Sequence, residues 1–269
     1  MERYFDRISD QIDVPHLNRS VRVLLFGLGR FGWPFALLAI SHGIRWIRAV
    51  EPDFASPENF ASGIPEADMG MPKAAQMAKE VAHQSSRVSF EAAPLSLAAD
   101  NPIPEEIRGW LSSCTIVVLF IDDFAVTSAL ARMIYPLRPC VFAAALENGV
   151  TGEAAWSNPQ QTPCLNCSAR LPEKQGARGG QTLLVDVLPT VIVALRMVLG
   201  LSLIGRKGFE LFAPYVDPRR CLAVVINRPG GFVEMAAGRP DMPGGVRLVD
   251  VVQENGQGPT CSVCRGYRP

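Results

Sequence analysis

The chain has 269 residues and carries 26 basic and 26 acidic side chains, which gives a formal net charge of zero. This length can bury a sizeable core without disulfides, which suits one large domain or one domain with an appendage. The balanced charge excludes a global field that would attract nucleic acid or an anionic membrane. We therefore expect no nucleic-acid or membrane partner, and we look for partners at local sites.

The first twenty residues are polar and are predicted to form an N-terminal helical arm, residues 1–20, ahead of a main domain at 21–269. This segment lacks the apolar core of a signal peptide, so we expect a cytoplasmic protein. The most apolar stretch, residues 182–205, has the length of a membrane span, but Asp186, Pro189 and Arg196 interrupt it. It is predicted to be a buried helix.

Apolar strands alternate with helices through the first half of the domain. This alternation predicts an α/β fold with a Rossmann-like, mostly parallel sheet flanked by helices. In chain order the predicted elements are a strand from residue 21, a helix at 33–42, a strand at 44–50, a helix at 72–84, a strand at 88–90, a helix at 104–111, a strand at 115–121, a helix at 124–134 and a strand at 140–145.

The alternation stops after Gly149. A cysteine pair, a charged and glycine-rich segment at 170–181 and the long apolar helix follow it. Two late strands are predicted near residues 222–227 and 246–251. We expect them to form a C-terminal antiparallel extension of the sheet.

Gly27, Gly29 and Gly32 form a G-x-G-x-x-G motif between a predicted strand and a predicted helix. Such glycines let the backbone approach phosphate or ribose, and an acidic residue after the second strand accepts bonds from ribose hydroxyls. Glu51 and Asp53 follow the second predicted strand and are the candidates for that role. The motif predicts a nucleotide site, and a tight turn without a ligand is the alternative.

Three downstream residues bear on the kind of nucleotide. The glycine motif alone is typical of a nicotinamide dehydrogenase, but Asn59, Lys73 and Asp122 favour a triphosphate with its magnesium ion, because lysine offsets phosphate charge and aspartate binds a hard cation through oxygen. Each residue has a structural alternative. Lys73 could be a surface charge, Asp122 a helix N-cap and Asn59 a plain turn residue.

The order and spacing of these segments resemble the ThiF/MoeB-like branch of the ubiquitin-activating (E1-like) adenylyltransferase superfamily. The resemblance covers most of the chain and rests on FDRI, GLGRFG, EPD, the EN of SPENF, MGMPKA, FIDD, PCLNC and CSVC. It implies ATP-dependent adenylation of the C-terminal carboxylate of a ubiquitin-like or sulfur-carrier protein with the β-grasp fold, with release of pyrophosphate. It also implies a conjugating enzyme as a further partner.

Carried over residue by residue, the resemblance assigns Glu51 to the ribose, Asn59 and Lys73 to the phosphates and Asp122 to magnesium. Arg7 matches an arginine that in this family reaches the ATP site of the neighbouring subunit, which implies a homodimer. The alternative for Arg7 is a solvated surface charge. Because an anionic carboxylate must attack an anionic triphosphate, cations have to surround the phosphates.

The phosphate site departs from the family pattern at one position. The family usually has an arginine three residues after the asparagine, and here Ser62 follows Asn59 at that distance. Arg30 stands in the glycine loop where the family commonly has glycine, and our hypothesis is that it supplies the missing charge. The missing arginine also leaves open a catalytically weak or inactive E1-like scaffold that binds a ubiquitin-like or conjugating partner.

The expected crossover loop, about residues 169–182, contains no cysteine. Many relatives carry a nucleophilic cysteine there, and Gln181 occupies the matching position. A thioester in this loop is therefore excluded, so the reaction either stops at the acyl-adenylate or uses another nucleophile. The candidates for that nucleophile are Thr182, Cys114, Cys140 and Cys221.

Cys164, Cys167, Cys261 and Cys264 form two C-x-x-C pairs that are far apart in the sequence. In a reducing compartment such pairs favour metal binding over disulfides. Four thiolates complete a tetrahedral zinc site with no open position for catalysis. We predict one structural zinc ion held by residues 164–167 and 261–264, with unmetallated thiols or a redox pair as the alternatives.

Overall fold

The computed structural model of the chain describes residues 6–57, 59, 68–100, 103–146, 151–159, 161–174, 184–226, 246–249, 261 and 263–264. For residues 6, 7, 173, 185, 226 and 246–249 it describes the backbone alone.

Eight strands form one sheet in the order β3-β2-β1-β4-β5-β6-β7-β8. Strands β1 to β5 pair in parallel, and β6 to β8 pair antiparallel beyond β5. The strands are β1 (Arg22–Phe26), β2 (Trp46–Val50), β3 (Ser89–Ala93), β4 (Ile116–Leu119), β5 (Cys140–Leu146), β6 (Thr151–Ser157), β7 (Leu222–Ile226) and β8 (Val246–Val249). The predicted α/β fold with an antiparallel C-terminal extension is confirmed.

Helices cover both faces of the sheet, which explains why β1 is apolar and buried from Val23 to Phe26. Val23 and Leu25 belong to a core cluster with helices α3 and α8, while Leu24 and Phe26 belong to a second cluster with α5 and α6. The helices are α1 (Asp6–Ser9), α2 (Val14–Ser20), α3 (Gly32–Ser41), α4 (Lys73–Gln84), α5 (Glu105–Ser113), α6 (Phe124–Ile134), α7 (Leu165–Ser168) and α8 (Leu184–Ser202).

Helix α8 is the predicted buried helix. Val191, Ala194 and Val198 are buried between it and the sheet, and Pro189 lies inside it. Among the described residues, no helix combines the length and the apolar character that crossing a bilayer requires. Leu17 of α2 is fully buried in the same cluster. Part of the predicted N-terminal arm therefore packs on the main body.

Strand β6 is an element that the sequence analysis did not predict. Its segment contains small residues, a glycine and Glu153 instead of a β-branched, alternating pattern. Its stability comes from its neighbours, because it pairs with β5 on one side and with β7 on the other. The main-chain hydrogen bonds of two adjacent strands thus override a weak local preference.

The chain order of the strands reverses beside β1, which lies between β2 and β4. In such sheets the two neighbouring connections run on opposite faces and leave a crevice at the carboxyl ends of the strands. The residues that follow β1, β2 and β4 therefore meet at one place, and they include the glycine motif, Glu51 and Asp122.

Candidate functional site

A cavity of about 640 Å³ lies at this crevice, a volume typical of small-ligand sites. Residues from the ends of β1, β2, β4 and β5 line it together with the start of α4. Of the residues predicted from the sequence, those that line the cavity are Gly27, Gly29, Arg30, Glu51, Asp53, Asn59, Lys73 and Asp122. Gly32 does not line it, and the side chain of Arg7 lies outside the described part of the chain.

The three glycines of the motif have different tasks. Gly27 has φ +93°, and a Cβ there would lie 2.5 Å from the Phe120 carbonyl oxygen. A Cβ on Gly32 would lie 1.9 Å from the Gly27 carbonyl oxygen. Both therefore serve the close packing of the turn, as in the alternative without a ligand. Gly29 differs, because a Cβ there would meet no atom within 4 Å, and this residue faces the cavity.

Glu51 is buried and ties the glycine loop to the turn after β2. Its Oε2 accepts a hydrogen bond from the Leu28 backbone N–H, and its Oε1 accepts one from the Asp53 N–H at 3.0 Å. Burial raises the pKa of the Glu51 carboxyl, although the Leu28 bond and the charge of Lys73 oppose the rise. Each carboxylate oxygen has a further lone pair, so the group can still accept from a ligand.

Lys73 is the first residue of α4, directly after Pro72. Its side chain is only 8 % exposed, and its Nζ lies 3.1 Å from Oδ2 of Asp53, whose side chain is 65 % exposed. The surface-charge alternative for Lys73 is therefore wrong. The ammonium group is held in the cavity wall by a carboxylate that solvent can reach.

Asp122 and Asp123 are adjacent but have different surroundings. Asp123 is the N-cap of α6, where its Oδ1 accepts from the N–H groups of Ala125 at 2.8 Å and Val126 at 3.1 Å. The N-cap alternative for Asp122 is therefore wrong. Asp122 is one of the residues that line the cavity.

Asn59 holds a turn and also lines the cavity. Its Oδ1 accepts from the Ser56 N–H and from the Ser56 hydroxyl, both at 2.9 Å. The turn role given as its alternative is thus present in the structure. These bonds use the amide oxygen, so the Nδ2 group is the part that can donate to a ligand.

The charged groups of the cavity are not balanced. Among its described lining residues, Arg30 and Lys73 are cationic, whereas Glu51, Asp53 and Asp122 are acidic. Three carboxylates against two cations disfavour a bare polyanion. A metal cation bound together with a phosphate ligand would offset this excess of negative charge.

Four cysteines meet at a second place in the molecule, and we call Cys164, Cys167, Cys261 and Cys264 the four-cysteine cluster. Cys164 Sγ lies 3.7 Å from that of Cys167 and 3.6 Å from that of Cys261, and Cys167 Sγ lies 3.6 Å from that of Cys264. All four sulfurs lie within 4.8 Å of one another. Zinc–sulfur bonds of about 2.3 Å in a tetrahedron place sulfurs ~3.8 Å apart, so the cluster could hold a metal ion.

The thiols of the four-cysteine cluster are separated by more than a disulfide bond of about 2.05 Å, and none forms a disulfide in the structure. The hydrogen bond from Cys167 is the main cause that lowers the pKa of Cys164 to about 5. A thiolate is the form in which cysteine binds metal. The spacing of the four sulfurs, all within 4.8 Å of one another, is what suits the cluster to a single metal ion.

The other three cysteines are poor nucleophiles. Cys114, Cys140 and Cys221 are buried, and burial raises the pKa of Cys114 and of Cys221 to about 11 and the pKa of Cys140 well above its usual value. Of the predicted crossover loop, residues 169–174 are described, and they include a 3-10 helix at Leu171–Lys174. Gln181 and Thr182 lie outside the described residues.

Sequence reasoning missed the apolar part of the cavity wall. The residues missed are Leu95, Leu97, Ile121, Phe124, Val126, Ala143, Ala144 and Ala145. Leu95, Leu97 and Ile121 follow strands, and that position is the signal that could have identified them. The alanines lie within β5, and Phe124 and Val126 lie in α6. Ile121 is part of the FIDD segment, and the others share only their place around the cavity.

Comparison with known families decides the classification. Residues 9–216 match the profile of the ThiF family, which is most of the chain. The chain belongs to the ThiF family. The resemblance drawn from the sequence is thereby confirmed. No curated protein sequence matches this ThiF-family chain.

Solved structures of Escherichia coli MccB share the fold. MccB with succinimide has a TM-score of 0.66 and 15 % identity, covering 94 % of this chain and 68 % of that chain. MccB with ATP and MccB with MccA-N7isoASN each have a TM-score of 0.66 and 15 % identity, covering 93 % of this chain and 68 % of theirs. At this level of identity the likeness establishes the fold.

Proposed function

We propose that this ThiF-family chain uses ATP to adenylate the C-terminal carboxylate of a ubiquitin-like or sulfur-carrier protein of the β-grasp fold, releasing pyrophosphate. The observation that carries the proposal is that Gly29, Glu51, Lys73 and Asp122 line one cavity at the switch point of the sheet. The solved structures of MccB with ATP and with MccA support a nucleotide and a peptide as the two ligands of such a fold.

The nucleotide would lie across the carboxyl ends of β1 and β2. Gly29 leaves room for it, and Glu51 accepts hydrogen bonds from the ribose with its remaining lone pairs. Lys73 binds the phosphates once its ion pair with Asp53 is exchanged for them. Asn59 donates a hydrogen bond to the phosphates through Nδ2. Arg30 supplies the positive charge of the family's usual arginine, whose position is occupied here by Ser62.

Asp122 is the residue that would hold magnesium, since it lines the cavity and Asp123 performs the N-cap role. The excess of carboxylates among the described lining residues fits this assignment. Bound magnesium would offset phosphate charge and the charge that develops on the leaving pyrophosphate. The cationic side chains of Lys73 and Arg30 would offset the same negative charge.

The reaction needs no nucleophile from the protein. A carboxylate oxygen of the partner attacks the α-phosphorus, the bond from that phosphorus to the bridging oxygen breaks, and pyrophosphate leaves with the electron pair. The cavity contributes by holding the two anions in line. The buried thiols and the absence of cysteine from residues 170–181 fit a reaction that stops at the acyl-adenylate.

We further propose that the four-cysteine cluster binds one structural zinc ion, because four thiols at tetrahedral spacing leave no open coordination position. A homodimer in which Arg7 reaches the neighbouring ATP site, a conjugating enzyme as partner and a cytoplasmic location complete the proposal. Mixing Arg7→Ala subunits with Lys73→Ala subunits tests the homodimer. A pull-down tests the conjugating enzyme as partner, and cell fractionation tests the location.

The deciding experiment is exchange of labelled pyrophosphate into ATP. The probe is a purified small ubiquitin-like or sulfur-carrier protein with a free C-terminal carboxylate. Exchange that depends on this protein and on magnesium supports adenylation. Binding of the partner without exchange would support the inactive E1-like scaffold, which Ser62 at the usual arginine position favours.

A further inference from the structure

Residues 162–169, which we call the cysteine segment, contain the first cysteine pair. This segment is bonded directly to α6, the helix that begins beside the cavity. Asn166 lies between Cys164 and Cys167, is buried, and donates from Nδ2 to the Ser128 carbonyl oxygen of α6 at 3.2 Å. The other amide atom, Oδ1, has no hydrogen-bond partner among the described residues. The bond to Ser128 is therefore the one that orients this side chain.

A second hydrogen bond joins the same two elements farther along α6. The Tyr135 hydroxyl, just after the end of α6, donates to the Thr162 carbonyl oxygen at 2.6 Å. Between the two bonds, Leu165 and Ala169 share a core cluster with Leu130. The cysteine segment and α6 thus pack as one unit with polar contacts at both ends.

The N-terminal end of α6 forms part of the cavity. Asp123 caps the helix, and Phe124 and Val126 line the cavity beside Asp122. Ser128 is one helical turn from Phe124, about 6 Å along the axis at 1.5 Å per residue. A shift of α6 at Ser128 would therefore move the backbone that carries Asp122.

We propose that Asn166 is a positioning residue for the magnesium site, acting through the Ser128 carbonyl and α6 on the carboxylate of Asp122. The inference rests on the proposed role of Asp122 in holding magnesium. It gives the cysteine segment a second role besides stability, because the segment that the metal would hold is also bonded to α6 at Ser128. The nucleotide contacts from β1, β2 and α4 are not part of this path.

This separation gives the test. Affinity for ATP is measured by calorimetry with the full-length, zinc-loaded chain, first without magnesium and then across a magnesium titration. In Asn166→Ala, the ATP affinity without magnesium stays at the wild-type value, and the magnesium concentration for half-maximal tightening rises about fivefold. A general loss of stability would instead weaken ATP binding equally without and with magnesium.

Two matched variants act as controls. Ser168→Ala removes a buried hydroxyl of the same segment that bonds to the Cys164 carbonyl oxygen and not to α6. Tyr135→Phe removes the other bond between the segment and α6, at the end far from the cavity. Both are expected to keep the wild-type magnesium requirement.

A wild-type magnesium requirement in zinc-loaded Asn166→Ala overturns the inference while the proposed function stands. If Asn166→Ala loses zinc, Asn166→Gln replaces it, since glutamine keeps an amide but moves it by one methylene. A raised magnesium requirement in that variant supports the positioning role, and a wild-type value rejects it. If ATP binding by the wild-type chain does not respond to magnesium, the proposed metal role of Asp122 fails and the inference fails with it.

Discussion

The cavity and the four-cysteine cluster show two ways of arranging polar groups. In the cavity, Lys73 is paired with an exposed carboxylate that a ligand can displace, and Gly29 faces open space. In the four-cysteine cluster, the thiols lie within 4.8 Å of one another, at the spacing that one tetrahedral ion requires. The first arrangement is suited to binding and release, and the second to permanent retention. The two regions should therefore respond differently to substitution.

The largest expected effect is the loss of the fold in Cys164→Ser. Structural zinc contributes an apparent ~10–16 kcal/mol in small domains, which is comparable with the whole stability of a typical protein. We expect zinc content to fall from about one ion per chain to near zero and cooperative thermal unfolding to disappear.

The control for this variant is Cys114→Ser, at another buried cysteine whose thiol bonds to the Leu111 carbonyl oxygen. It should keep its zinc and lose about 1 kcal/mol of stability. A folded, active Cys164→Ser protein without zinc would show that the four-cysteine cluster does not retain the fold.

Lys73→Ala should slow catalysis strongly and leave the fold intact. Removing one group that stabilises transition-state charge lowers kcat by roughly 10²–10³-fold. Stability should change little, because the carboxylate left behind, Asp53, is exposed and can be hydrated. Pyrophosphate exchange and thermal melting measure the two effects.

Lys79→Ala is the matched control, since Lys79 lies on the same helix, is 70 % exposed and pairs with Asp68. Exchange should remain at the wild-type rate. An equal loss of exchange in Lys73→Ala and Lys79→Ala would mean that the rate depends on the net charge of α4 and not on the position of Lys73 in the cavity.

Arg30→Ala should weaken ATP binding by roughly tenfold, which corresponds to ~1.4 kcal/mol and is at the lower end for a hydrogen bond to a charged group. Calorimetric titration with ATP measures the change. Arg87→Ala, at an exposed arginine before β3, is the control for net charge. An unchanged affinity in Arg30→Ala would leave the missing arginine uncompensated and favour the inactive scaffold.

The smallest effect concerns the pH dependence of stability. Because burial raises the pKa of Glu51 above its usual 4.5, the folded chain binds this proton more tightly than the unfolded chain. The resulting stabilisation is present at low pH and is lost as pH rises from 4.5 through the raised pKa.

Glu51→Gln removes this titration. The free energy of unfolding in urea of wild type minus that of Glu51→Gln should therefore fall as pH rises from 4.5, and then level off. A difference that grows with pH would contradict the assignment of the raised pKa to this residue.

Much of the fold could be predicted because the central strands of the parallel part of the sheet are buried. Strands β1 and β4 are apolar runs that lead to Gly27 and Asp122, and the observed bounds of α6 match the predicted ones. Strand β6 could not be predicted in this way, because its stability depends on pairing with β7, which lies more than sixty residues further along the chain.

The sequence could predict which residues belong to the candidate site, but it could not predict the contacts between them. The position of Glu51 and Asp122 after strands brings them to the crevice by topology alone. Sequence could not tell which of Asp122 and Asp123 caps α6, because both precede it. The pairing of Lys73 with Asp53 and the bond from Asn166 to Ser128 depend on side-chain packing between elements distant in sequence.

The most direct test of adenylation compares two forms of one partner. Pyrophosphate exchange into ATP is measured with a small ubiquitin-like or sulfur-carrier protein that binds this chain, first with a free C-terminal carboxylate and then with a C-terminal amide. Exchange is expected with the acid and not with the amide, since the carboxylate is the attacking nucleophile. Equal exchange with both forms, or no exchange with an acid that binds, would contradict adenylation.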